Sequence, residues 1–81
     1  MKVVKASYLD GYRLQIFFKN GKMSTVDLRR FLEERPHPQY NKYRDIKLFK
    51  KFRIENGNVV WGKNWDLIFP VAQLYEGRIQ S

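Results

Sequence analysis

The sequence predicts an α+β fold: an antiparallel three-stranded meander followed by two helices, a second small hairpin and a short C-terminal helix. Three observations carry that prediction. Asn20-Gly21 and Asn56-Gly57 each interrupt strand-like runs, and an Asn-Gly pair tolerates the positive φ angles that a tight hairpin turn demands. Between the two hairpins, Leu28, Phe31 and Leu32 follow the i, i+3, i+4 spacing of an amphipathic helix. The length of 81 residues fits one domain, spanning residues 1–81. A chain of that size buries only roughly 60% of the surface it exposes when unfolded.

In chain order, Lys2 to Leu9 reads as the first strand. Val4, Ala6 and Tyr8 fall on one face and Val3, Ser7 and Leu9 on the other, with Asp10-Gly11 as the turn. In the second strand Leu14, Ile16 and Phe18 share a face. A two-residue turn at Asn20-Gly21 pairs Phe18 with Met23 and Ile16 with Thr25. On that register Val26 lies beside Phe17 on the opposite face. Either both faces are partly covered, or a bulge shifts the return strand.

Asp27 is placed to cap a helix from Leu28 to Glu34. Its charges run against the helix dipole, Arg29 and Arg30 in the first turn and Glu33 and Glu34 in the last, although the i, i+4 pairs offset a little. The arginines are therefore displayed for a partner or simply solvated. Arg35 to Tyr43 reads as a loop, since Pro36 and Pro38 push their predecessors out of the helical region. Its His37, the only histidine, has no second histidine or cysteine with which to bind metal or activate a nucleophile.

Asp45 caps a second helix running to about Phe52. Leu48, Phe49 and Phe52 cluster on one side, while Arg44, Lys47 and Lys51 cluster on another with Lys50 nearby. The second hairpin, Arg53 to Trp61, sets Ile54 opposite Val59 and Phe52 opposite Trp61. Gly62 to Asn64 forms a loop. Pro70 opens a short helix through Leu74 and Tyr75 that Gly77 ends, and Arg78 to Ser81 is expected to fray. Trp61, Trp65, Phe69 and Tyr75 form either an aromatic platform or part of the core, and a domain this small needs aromatics for buried area.

Composition narrows the function classes. Sixteen Lys and Arg against eight Asp and Glu give a formal charge of +8, which favours polyanions, anionic membrane surfaces or acidic protein patches. Cysteine is absent, which removes disulfides and thiolate metal sites. Apolar runs reach only three residues, as in Ile16 to Phe18, so no membrane span or signal core is expected and a cytoplasmic location follows. No Cys-His, Ser-His-Asp or HExxH arrangement and no glycine-rich phosphate loop is present, so neither catalysis nor a cofactor nor a metal is expected.

Gly21, Asp27-Leu28, Asp45 with Phe49, Trp61, Asp66-Leu67 and Leu74-Tyr75 stand in an order and spacing that resembles the bacterial domain-of-unknown-function family numbered 2442. The likeness runs over nearly the whole chain. It departs at Tyr43, at Gly62 and in the long Pro36 to Tyr40 segment. The resemblance implies a compact α+β domain with no established activity, some members of the family being suspected of acting beside toxin-like partners.

Two binding readings follow. In one, the domain is a protein-interaction module, an accessory or antitoxin-like component that pairs with itself or with a partner through a strand edge or through Trp65 and Tyr75. In the other, Arg44, Lys47, Lys50 and Lys51, joined by Arg29 and Arg30, bind nucleic acid by charge without base readout. The second requires those cations to share one surface.

Overall fold

The computed structural model describes residues 2–34 and 37–79. Strands β1 (Val3–Asp10), β2 (Arg13–Phe18) and β3 (Met23–Asp27) form an antiparallel meander in that order. The turn between β2 and β3 is a three-residue loop. Gly21 N–H donates to Phe18 C=O and Phe18 N–H to Lys22 C=O, both at 2.9 Å, with Gly21 at φ +90° as a glycine bulge. The expected register therefore moves by one residue, placing Ile16 opposite Ser24, Phe17 opposite Met23 and Leu14 opposite Val26. Of the two readings left open, the bulge holds: Val26 is fully buried on the Leu14, Ile16 and Phe18 face.

Bulges correct the first strand as well. Pairing skips Val4 and Leu9, so Val3, Ala6 and Tyr8 all stand opposite core-facing β2 residues. Val4 and Leu9 are extruded and are 56% and 41% exposed. Asp10 pairs with Arg13, which moves the turn one residue on, to Gly11-Tyr12.

Helix α1 (Arg29–Glu34) starts where the Asp27 carboxylate accepts from Arg29 N–H at 2.9 Å, and it buries Leu32 behind Leu28. The expected loop is largely helical from residue 38 onward: α2 (Pro38–Asn41) runs into a 3-10 turn, Lys42–Arg44. Pro38 suits a first helical turn, where its missing N–H is not needed. His37 Nδ1 accepts from Gln39 N–H, and Asn41 Oδ1 accepts from His37 N–H, so polar side chains close the turn that Pro38 opens. The expectation for residues 35 and 36 lies outside the described residues.

Asp45 caps α3 (Ile46–Phe49) through Lys47 N–H, as expected. The helix stops at Phe49 instead of Phe52. Its Phe49 carbonyl, which a further turn would use, accepts the buried indole N–H of Trp61 at 2.7 Å.

A second antiparallel sheet comprises β4 (Arg53–Glu55), β5 (Asn58–Trp61) and β6 (Leu67–Ile68). Asn56 and Gly57 both take positive φ, 51° and 80°, and Ile54 faces Val59. The short β6 follows the expected Gly62 to Asn64 loop and is a strand that the sequence reading did not assign. Helix α4 (Val71–Glu76) ends at Gly77, φ +83°, whose N–H reaches Gln73 and Leu74 carbonyls.

Trp61 is the centre of the core, stacked on Phe49 at 5.6 Å and edge-on to Phe69 at 5.8 Å. The sheets meet at β1, where Val3 N–H donates to the Gly57 carbonyl at 2.9 Å. This places β1 between the turns of both hairpins, since Lys19 N–H also donates to the Lys2 carbonyl.

Candidate functional site

Three of the six cations singled out in the sequence come together. Lys50 Nζ stands 4.8 Å from the centre of the Tyr8 ring and the Arg29 guanidinium 5.5 Å from that of Tyr12. Both tyrosines pack edge-on against Phe49, at 6.3 and 5.3 Å. Tyr12 donates its hydroxyl to the Arg44 carbonyl, while the Arg44 guanidinium donates to Leu32 C=O at 2.8 Å at the end of α1. Arg29, Arg44 and Lys50 are thus fixed around one aromatic patch.

The others are placed differently. Arg30 pairs with Glu34 at 2.7 Å, and that hydrogen bond raises the guanidinium pKa further above its ordinary value. Lys51 lines a separate cleft with Lys42, Arg53 and Lys63. Lys47 is exposed on α3, a helix of a single turn. The basic face expected of a longer second helix is therefore divided by the early end of α3.

The aromatic group dissolves into core and periphery. Trp61 and Phe69 are buried. Trp65 is half-buried, its indole N–H donating to Glu55 at 3.2 Å. Tyr75 packs edge-on against Phe18 at 5.0 Å, accepts from Asn20 Nδ2 at 3.1 Å and lies under Lys22 Nζ at 3.8 Å. Trp65 is thus tied to the second hairpin and Tyr75 to the first.

A surface that sequence reasoning missed is the outer face of the first sheet. Lys5, Phe17 and Met23 stand directly opposite one another in a row, and Ser7, Gln15 and Thr25 form the next. Lys5 Nζ is 5.5 Å from the Phe17 ring centre, and Met23 is 54% exposed. The two-residue register assigned Met23 to the face of Phe18, which hid this row. The signal was Val26, whose apolar side chain fits the core only after a one-residue shift.

Among the described residues no group of three or more His, Cys, Asp or Glu is arranged to hold a metal ion, and His37 serves as a helix cap. No helix among them is long and apolar enough to cross a membrane.

A family model described as protein of unknown function, DUF2442, matches residues 3–80. The chain belongs to the DUF2442 family. No match is found among curated proteins or solved structures. In this DUF2442 domain the residues that carried the resemblance have structural work. Gly21 forms the bulge, Asp27 and Asp45 cap helices, and Phe49, Trp61, Leu67 and Leu74 are buried. Asp66 accepts from Lys42 at 3.1 Å, and this hydrogen bond, with the nearby Tyr43 second, raises the Lys42 pKa. At the departures, Tyr43 is buried and Gly62 sits at φ +84°.

Proposed function

We propose that this DUF2442 domain is a cytoplasmic, non-enzymatic protein-interaction module whose partner docks on the outer face of the first sheet. The observation that carries this reading is the Lys5, Phe17, Met23 row, beside the extruded Val4. Antiparallel sheets commonly cover one face and solvate the other with polar residues. Here the second face keeps apolar side chains next to lysine. The charge of +8 favours an acidic partner over a second copy of the chain, because two such molecules repel.

The second reading, electrostatic and sequence-nonspecific nucleic-acid binding, draws its support from Arg29, Arg44 and Lys50 around Tyr8 and Tyr12. Its other candidates, Arg30, Lys47 and Lys51, do not extend that patch as a basic helix face would.

One experiment separates the two. A photo-cross-linking residue is placed at position 17, 23 or 47 in the cells that make the protein. The expected result is a discrete protein adduct from 17 and 23, resistant to nuclease and lost on Val4→Asp. Adducts confined to 47 and removed by nuclease overturn the reading in favour of nucleic acid. Absence of any adduct at 17 and 23 overturns it as well.

A further inference from the structure

We propose that the cleft beside α3 binds a small phosphate monoester as its dianion. Four cations reach this cleft of about 280 Å³ from separate parts of the chain: Lys42 from the 3-10 turn, Lys51 after α3, Arg53 from β4 and Lys63 after β5. Tyr43, Leu48 and Gly62 complete the lining. The lining therefore combines apolar side chains with four cationic ones.

The charge count selects the ligand. Two of the cations have carboxylate partners, Lys42 with Asp66 at 3.1 Å and Arg53 with Glu55. Lys51 and Lys63 form no ion pair among the described residues. Four cations against two carboxylates leave an excess of two positive charges, which complements a phosphate monoester of about −1.5 to −2 near neutral pH. The carboxylates also fix Lys42 and Arg53, so half of the cationic set is ordered before a ligand arrives.

The wall carrying Lys63 is held in an unusual backbone shape. Gly62 and Trp65 both lie in the left-handed region, at φ +84° and +55°, and the second is a bulky residue that rarely enters it. A Cβ at Gly62 would sit 2.5 Å from Asp66 Oδ2 and 2.8 Å from the Tyr43 hydroxyl. Only glycine lets the carboxylate that orders Lys42 close against this loop. The Trp65 indole N–H donates to the same Glu55 oxygen that pairs with Arg53, which ties the loop to β4. Such conformations persist where surrounding contacts over-determine them, commonly at ligand sites.

Geometry separates a monoester from a nucleic-acid strand. A strand presents monoanions spaced along a line and needs a track of cations. This cleft gathers its cations at one half-open point, and Arg29 and Lys50 stand over Tyr12 and Tyr8 instead of extending it into a line. Tyr43 and Leu48 suit the carbon side of an ester. The site shares no residue with the outer face of the first sheet, so each stands or falls alone.

The test is a backbone-amide NMR titration of the whole chain with phenyl phosphate, diethyl phosphate and a short single-stranded oligonucleotide. Phenyl phosphate is expected to give saturable shifts at Lys51, Gly62 and Lys63, while the monoanionic diester does not saturate. A Lys51→Ala, Lys63→Ala double variant weakens binding by at least about tenfold, the loss of charge-assisted contacts. Lys47→Ala, outside the cleft, leaves it unchanged. Both cleft lysines are exposed, and the amide spectrum checks that the double variant stays folded. Equal response to the diester or oligonucleotide, or equal loss from Lys47→Ala, overturns the proposal and leaves only a diffuse basic surface. Absence of saturable binding overturns it outright.

Discussion

Gly21 and Gly62 share a left-handed backbone and differ in their surroundings. A Cβ at Gly21 would meet nothing within 4 Å, whereas one at Gly62 collides with Asp66 and Tyr43. Gly21→Ala should therefore cost only the conformational penalty, about 1–2 kcal/mol. Gly62→Ala should cost at least about 1 kcal/mol more, from the added collision. Urea unfolding of both variants measures the difference; equal losses would mean that the Asp66 carboxylate moves aside freely. Asp10 offers a second residue-level test. Its hydrogen bonds to the Arg13 guanidinium hold its pKa below the usual carboxylate value, with the nearby charges of Arg13 and Arg29 adding to the effect. A depressed folded-state pKa means that the stabilisation is present above the ordinary aspartate value of about 3.9 and fades as pH falls through the lower folded one. The small stability gap between the wild type and Asp10→Asn at about pH 6 should accordingly narrow as the pH is lowered and the carboxylate takes up its proton. A gap that persists in acid would assign the effect to something other than this ion pair.

At the scale of elements, the register of β2 and β3 decides what faces outward. Val26→Ser should cost about 2 kcal/mol or more, since it removes a fully buried apolar side chain and strands a hydroxyl. Met23→Ser, on the exposed side, should stay within about 0.5 kcal/mol. Denaturation midpoints in the reverse order would restore the two-residue turn. Asn20-Gly21 marked the hairpin correctly, because both possible loops use the same two residues, and only their neighbours decide between them. Helix starts were legible for a similar reason: Asp27, Asp45 and Pro70 act within a residue or two of themselves. The end of α3 was not, because the Trp61 indole that takes the Phe49 carbonyl arrives from another element. The turn beginning at Pro38 was hidden by reading its prolines as breakers, although His37 and Asn41 held the local hydrogen bonds that close it.

For the whole molecule, a charge of +8 sets the balance between cohesion and repulsion. Four ion pairs are found among the described residues, and their partners are mostly exposed, so screening the general repulsion should outweigh weakening them. The urea midpoint should rise between about 10 mM and about 0.15 M salt, as the Debye length contracts from about 30 Å to about 8 Å. A falling midpoint would make the surface pairs the dominant electrostatic element. The total charge was legible in composition, but its distribution was not. Lys51 was grouped with Arg44 and Lys47 by helical periodicity, yet the fold sets it beside Lys42, Arg53 and Lys63, a convergence that no spacing along the chain encodes. The position of β1 also orders events in time. This strand is synthesised before the rest of the domain, but its Val3 N–H is satisfied by Gly57, a residue made much later. While the chain emerges from the ribosome, the meander can pair its own strands but lacks Trp61 and the second hairpin that complete its core. Contacts between such distant residues slow folding because the intervening loop must close first. Strand β1 therefore waits for the second hairpin before its place is sealed.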